Sequence, residues 1–538
     1  MFVSVALLRR LFRTAGPTQV TRVPRPPAGQ LQVAEAAWRN DKLILSGRLT
    51  GPKQRLVLRH RTKGREQVFP LNVSGDAFTV QLPVTALPSF GATLPLPSGD
   101  WSLRGCRWSG QNLPEPRVEG LHEFALHKDA GNRLTLRVRR NFFPDERSRA
   151  AQAALQCGFY EQQRAQAVRN MIVFDSMGGK RYSCSPRAIF EELRHEPDLE
   201  FVWTSADGQF PPPEGARTVL KNSREHYEAL ARARVVVANS RMHPWYRKRD
   251  GQTYLQTWHG TPLKTLAFDL TTLTEHRGRG WQEITVDVAQ WDVLISPNPY
   301  TTRIMRRAYR YDGAIWEIGY PRNDLLKAPE AEERGAAVRA SLGIASDKRV
   351  VLYAPTWRDD LIVGDGPRRV HQLALDVKRA RAALGRDHVL LVRAHHFMAT
   401  DRAWRGGDGF VVDVSDYPDI ADLYLAADVL ITDYSSAMFD FAVTGKPMLF
   451  FAYDLERYRD EVRGFYFDLE AQAPGPVLRT SDEILDAIRA GAHHEYADAY
   501  AAFVKTYCPY DDGFASARAI ERILRTAPEL RLGTPRSA

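Results

Sequence analysis

Five short apolar runs in this sequence each end in residues that could handle a phosphate. "TYLQTW" is followed by His259, Gly260, Thr261 and Pro262, and "AIWEIG" leads to Arg322, Asn323 and Asp324. "RVVLYAP" leads to Thr356, Trp357 and Arg358, "HVLLV" to Arg393, His395 and His396, and "DVLIT" to Asp433, Tyr434, Ser435 and Ser436. Guanidinium and hydroxyl groups hold anionic oxygens through hydrogen bonds. A neutral imidazole, with its ordinary pKa of about 6.5, can take a proton from an attacking hydroxyl. The set suits a phosphorylated, anionic ligand and the stabilisation of charge that grows during its transfer. The Gly-Thr-Pro break after His259 lets backbone approach such a ligand closely. His259 reads either as the base or as a hydrogen-bonded structural histidine. In "TDYSSAMFDFAVTGKP" strand gives way to helix at Asp433 to Ser436, where hydroxyls and free N–H groups bind phosphate or merely cap the helix. No acidic pair has the placement of a metal site, so a metal is not expected to be essential. Asp359 and Asp360 read as a substrate contact or a solvated turn.

These side chains can share one cleft only if the strands before them run parallel and end together. From Met171 onward, "MIVFDS", "LEFVWTS", "RVVVANS", "TYLQTW", "WDVLIS" and "AIWEIG" alternate with helical stretches. A second series, "RVVLYAPTW", "HVLLVRAHH", "GFVVDVS", "DVLITDY" and "PMLFFAY", follows a break near residues 327–335. Continuous apolar strands with helical connections imply parallel sheets covered on both faces, whose ligands bind at the carboxyl ends of the strands. Neither lobe has GxGxxG after its first strand, and "MGGKRYS" lacks the P-loop spacing, which excludes an NAD dehydrogenase and a P-loop kinase. Residues 145–170 are helical in composition. Before them the period is two: Leu43, Leu45 and Leu49, then Phe78, Val80 and Leu82, then Leu134, Leu136 and Val138, with Gly, Asp and Asn turns between. That spacing predicts a small antiparallel β-sandwich with a docking or a structural role. The expected fold class is α/β, with two Rossmann-like lobes preceded by the β-sandwich. The expected boundaries are 1–30 for a basic segment and linker, 31–140 for the sandwich, 141–328 for the first lobe, and 329–538 for the second lobe with C-terminal helices.

With 538 residues the chain exceeds a single core, and it carries a net charge of +10. Cys106, Cys157, Cys184 and Cys508 form no CxxC pair, which fits a reducing cytoplasm. Arg9, Arg10, Arg13, Arg22 and Arg25 precede the first acidic residue, Glu35. Beside them "MFVSVALL" is too short to span a bilayer, so the segment reads as an amphipathic helix on an anionic membrane surface or as a disordered tail. The basic runs "RHRTKGR" and "RVRR" could meet an anionic polymer or membrane, or form a solvated strand face. No basic-aromatic module for nucleic acid is present.

"TWHGTPLK", "GYPRND", "YAPTWRDD", "RAHH" and "TDYSSAMFDFAVTGKPMLFF" occur in the order seen in the CDP-glycerol glycerophosphotransferases of teichoic acid synthesis, and the chain resembles that family over roughly residues 171–524. "FDSMGGKRYSCSP" and "RGFYFDLEAQAPGPV" resemble its opening and its later segment. The resemblance implies a GT-B type architecture, with the first lobe on the acceptor side and the second binding CDP-glycerol. It implies transfer of glycerol phosphate to a hydroxyl of a lipid-linked poly(glycerol phosphate) acceptor, with CMP leaving, in a cytoplasmic enzyme peripheral to the inner face of the cell membrane. By position, the family's two histidines map to His259 and His395. Substrate contacts map to Gly260, Thr261, Pro262, Lys264, Arg322, Asn323, Thr356, Trp357, Arg358, Arg393, Asp433, Ser435, Ser436 and Asp440. Where the family usually shows Arg, a variable residue, His and Pro, this chain has "RAHH"; His395 fits the register and His396 is extra. CDP-ribitol as donor, a GT-B glycosyltransferase using a nucleotide sugar, and a non-catalytic polymer-binding surface protein are the alternatives.

Overall fold

The structure is a computed structural model that describes residues 30–62, 65–85, 87–90, 92–270, 277–356, 358, 373–394, 409–491 and 495–530. The basic N-terminal segment lies outside the described residues. Two parallel sheets form the body of the molecule. In the first, the strand order across the sheet is Arg217–Leu220, Glu200–Ser205, Arg169–Asp175, Ala233–Ala238, Thr253–Gln256, Val293–Ser296 and Ala314–Glu317. In the second it is Val411–Asp413, His388–Val392, Arg349–Tyr353, Val429–Thr432, Met448–Phe451 and Val477–Leu478. Every pairing in both is parallel. Both sheets run outward in two directions from their first strand. That reversal leaves a crevice at the carboxyl ends, beyond Asp175 and Ala238 in one lobe and beyond Tyr353 and Thr432 in the other. The strands are apolar throughout because both faces are covered; Val235, Val236 and Val237 are wholly buried, as is Leu352.

The N-terminal region is all β, but ten of its strands join in one connected sheet instead of a sandwich of two, while Leu87–Ser89 and Ala92–Leu94 pair only with each other. The strand Gly99–Trp108 makes the join. It pairs with Arg133–Arg140 and with Arg55–His60, both antiparallel, and near its end with Gln30–Arg39, parallel. The sheet closes over its own apolar face. Trp38 and Phe124 lie on strands three places apart in the order, a span of about 14 Å in a flat sheet, yet their ring centroids are 6.5 Å apart. Alternate residues Leu43 and Leu45, Phe78, Val80 and Leu82, and Leu134, Leu136 and Val138 form the enclosed core.

This β-domain touches both lobes. Ser98 donates from its backbone N–H to Asp207 at 3.1 Å and also from its hydroxyl, and buried His122 lies 3.4 Å from the same carboxylate. Arg65 pairs with Asp416 of the second lobe at 2.8 Å, and Phe90 packs on Tyr417. The chain also returns to its first lobe. Helix Ala515–Thr526 buries Ala519 and Ile523 in the first lobe's core, so the second lobe does not run to the end as the sequence boundary at 538 implied.

Candidate active site

The strand Thr253–Gln256 ends at a backbone that only a constrained loop would hold. Thr257 continues the ladder by donating to the Ala238 carbonyl at 2.8 Å, and Trp258 then takes a left-handed φ of 54°. The buried Gln256 side chain accepts from the Trp258 N–H at 3.0 Å and steadies that turn. The turn puts His259 into the cleft with its ring stacked on Trp258, centroids 4.7 Å apart. Nδ1 of His259 lies 2.6 Å from the Asn239 carbonyl oxygen. A carbonyl can only accept, so Nδ1 carries the hydrogen and Nε2 of the neutral ring keeps its lone pair. The ring is reachable from the cleft but hemmed in by protein. The resulting desolvation lowers its pKa, the Asn239 bond opposes this, and Arg322 adds to it. The result is an imidazole held neutral, in one tautomer, at the end of a strand.

Arg322 does not wait for a phosphate. It donates to the His259 carbonyl at 2.6 Å, and its Nη2 donates to both carboxylate oxygens of Asp440 at 2.7 Å. Burial opposes its charge, but Asp440, with Cys184 and Tyr320 nearby, holds its pKa well above the usual value. Arg322 and Asp440, both expected to touch substrate, thus fasten the histidine loop to helix Ala437–Ala442 of the second lobe. Gly260 is the point of closest approach. A Cβ there would lie 2.8 Å from Ser436 Oγ and 3.0 Å from its Cβ. Thr261 is buried, and the Pro262 carbonyl accepts from Tyr300 at 2.8 Å. Lys264 pairs through its backbone with Phe465, and Tyr466 N–H donates to the Leu263 carbonyl at 2.8 Å. The "TWHGTPLK" and "RGFYFD" segments are therefore laid side by side.

Three residues expected to touch substrate have other tasks. Arg358 is buried between Asp433 at 2.8 Å and Asp454 at 2.9 Å, packed against the rings of Tyr434, Tyr453 and Tyr458. The other oxygen of Asp433 accepts from Thr356 N–H at 2.8 Å. Arg358 and Asp433 thus lock together the two loops at the second lobe's crevice and are not open to a ligand. Asn323 is buried and donates to Asp511 at 3.1 Å. The groups left at the crevice are Ser435 and Ser436, each partly exposed; Thr356 is partly exposed too, but its hydroxyl oxygen is buried. The helix after the serines has only six residues, so their hydroxyls count for more than its dipole. Arg393 donates to the Val414 and Tyr417 carbonyls at 3.2 and 3.0 Å. Burial and the charge of Arg181 lower its pKa to about 10. Arg181 comes from "GGKRYS" in the first lobe and donates to the Asp416 carbonyl at 2.9 Å. Sequence reasoning did not single out Arg181 or Asn239; Arg181 lies inside a quoted motif, but Asn239 acts through its backbone and leaves no signal in residue type. His395 and Trp357 lie outside the described residues, as do His396, Asp359 and Asp360. Among the described residues no group of three metal-binding side chains is gathered.

A basic histidine on one lobe, hydroxyls on the other and arginines between them are set over two parallel sheets, and this arrangement has known counterparts. The family model for CDP-Glycerol:Poly(glycerophosphate) glycerophosphotransferase matches residues 159–525. The teichoic acid poly(glycerol phosphate) polymerase of Bacillus subtilis (strain 168) is 40% identical over 369 residues, 66% of this chain and 49% of that protein. The match thus spans about half the length of that polymerase. The teichoic acid glycerol-phosphate transferase of Staphylococcus aureus (strain NCTC 8325 / PS 47) is 38% identical over 369 residues, 66% of this chain and 93% of that one. A solved structure of the wall teichoic acid polymerase TagF superposes with a TM-score of 0.65 at 36% identity, over 70% of this chain and 94% of that chain. With two thirds of its length matched and the motif residues gathered at one cleft, the chain belongs to the CDP-glycerol:poly(glycerophosphate) glycerophosphotransferase family.

Proposed function

We propose that this cleft transfers glycerol phosphate from CDP-glycerol to a terminal hydroxyl of a lipid-linked poly(glycerol phosphate) chain, with CMP released, as a GT-B type enzyme at the cytoplasmic face of the membrane. Nε2 of His259 takes the proton as the acceptor oxygen attacks the β-phosphorus. The new phosphorus–oxygen bond forms as the bond to the bridging oxygen breaks, and the electron pair leaves with CMP. Arg393 and Arg181 oppose the negative charge growing there, and Ser435 and Ser436 donate hydrogen bonds to it. His395, by its place in the family motif, serves the donor phosphates. The observation that carries this reading is the His259–Asn239 bond, which leaves Nε2 as the basic nitrogen, on the residue before Gly260, where the loop abuts Ser436 of the second lobe. Substrate binding from the first lobe fits the acceptor side, and the crevice of the second fits the nucleotide.

The test is product analysis of purified protein given CDP-glycerol, CDP-ribitol or a nucleotide sugar with a lipid-linked acceptor. CMP release and a mass increment of one glycerol phosphate per turnover, with CDP-glycerol preferred and EDTA without effect, are expected. Release of a nucleoside diphosphate would instead make it a glycosyltransferase.

A further inference from the structure

A second charged site lies away from the cleft. Residues 30–140 hold seventeen Lys and Arg against nine Asp and Glu, a net of +8, and residues 1–29 add +5. Residues 141–538 are net −3, so the whole positive excess of the molecule sits in front of its catalytic lobes. Part of it is concentrated in a groove of about 590 Å³ on the β-domain, lined by Arg61, Arg104, Arg107 and Arg133 with Ser102 and Thr135. The backbone builds this groove. In Gly99–Trp108 the pairing with Arg133–Arg140 slips, so that Arg133 faces Arg107 while Thr135 faces Ser102. The extra residues bulge at Gly105, whose φ is 71°, and Arg104 and Arg107 both end up exposed while Leu103 and Cys106 stay in the core. Asp129 also lines the groove, paired with Arg133 at 2.7 Å, and Arg61 and Arg104 have looser carboxylate neighbours at 3.7 and 3.6 Å. Arg107 donates only to the Gly131 carbonyl, at 3.4 Å, and has no carboxylate partner among the described residues.

We propose that this groove binds a stretch of anionic phosphodiester polymer, so that the growing chain stays on the enzyme between transfers. The proposal rests on the reading of the cleft above. The groove is concave and lined by guanidinium and hydroxyl groups, which suits phosphodiesters carried on a flexible strand. A lipid-facing patch would expose apolar side chains beside the charges, and a single-stranded nucleic acid site would offer rings for stacking; here the apolar lining residues Leu103, Cys106 and Leu134 are buried, and no aromatic ring is among the lining. The groove's rim is also close in sequence to a contact with the second lobe. Arg61 lines it, and four residues on Arg65 pairs with Asp416, the residue whose carbonyl also holds Arg181.

The test uses the full-length protein, a fluorescent oligo(glycerol phosphate) without lipid, and vesicles containing phosphatidylglycerol. Arg104→Gln with Arg107→Gln should weaken polymer binding about tenfold or more. It should lower the slope of log K against log salt by about 0.7 for each phosphate that is no longer neutralised, the value for single-stranded polyanions. Turnover with a single-unit acceptor should be unchanged, and products from a long acceptor should be shorter. Both arginines are exposed, and Arg107→Glu, which gives up only a carbonyl hydrogen bond, is a second variant expected to fold. His259→Ala should lower turnover about 10²–10⁴-fold yet bind the polymer normally, which separates failure of the groove from failure of the cleft. Unchanged polymer affinity in both arginine variants overturns the proposal, as does loss of vesicle binding with polymer binding intact.

Discussion

At the scale of single residues, the contrast between His259 and Arg358 carries the chemistry. Both follow a strand, and both are types that bind or activate phosphate esters. His259 has one nitrogen committed to a carbonyl and the other open to the cleft. His259→Gln keeps a hydrogen-bonding side chain but cannot take a proton, and its turnover should fall about 10²–10⁴-fold with CDP-glycerol binding retained. Because desolvation lowers the pKa of His259, the ring stays neutral to lower pH than a free histidine. The acid limb of kcat/KM, which reports the free enzyme, should therefore lie below pH 6.5, and a limb above that value would contradict the assignment. Arg358 is satisfied on every side by Asp433, Asp454 and three tyrosine rings. Arg358→Met would leave two carboxylates unpaired in the interior and should cost about 3–5 kcal/mol in denaturant unfolding. The two cases show what was legible. Residue type and position after a strand picked out side chains that the fold brings near one another, but an Arg beside strand ends reads the same whether its partner is a phosphate or a buried Asp 75 positions away.

At the scale of elements, the strands were legible because burial on both faces makes them unbroken apolar runs. The exceptions are two edge strands: Arg217–Leu220, half of which is Arg and Thr, and Val477–Leu478, which has only two residues. The all-β character of the front was legible in its period of two, but the sandwich expected there is one connected sheet, joined by the pairing of Gly99–Trp108 with three partners and a bulge that no residue pattern announces. Packing between elements sets two further expectations. Gly260 has an ordinary backbone conformation, so Gly260→Ala strains nothing locally and instead presses on Ser436. It should lower kcat about tenfold or more, and Ser436→Gly in the same chain should restore part of the activity if close approach of the loops is what matters. Asp511 accepts from Tyr320 N–H and Asn323 at the joint between the lobes, and burial raises its carboxyl to about 7 from 3.8. The folded state then holds a proton that the unfolded chain has lost, so this group's contribution to stability falls as pH rises from about 4 to 7 and is level above. Asp511→Asn should flatten that slope in urea midpoints measured at pH 5 and pH 8.

At the scale of the whole molecule, charge is unevenly divided: the two lobes carry a small net negative charge and follow a basic front. The first 25 residues, with five arginines and no acid, should recruit the enzyme to anionic membranes. Deleting residues 2–25 should reduce cosedimentation with phosphatidylglycerol vesicles, and salt should do the same to the full chain; equal sedimentation of both forms at low salt would end that idea. The crossing of helix Ala515–Thr526 back to the first lobe has a consequence for synthesis. The last strand of that lobe, Ala314–Glu317, leaves the ribosome about 200 residues before Ala519 and Ile523. At about 5–20 residues per second, the first lobe waits roughly 10–40 s with part of its core open. In that interval it is a nascent domain with an exposed apolar seam, and its maturation is set by the completion of translation of the other lobe.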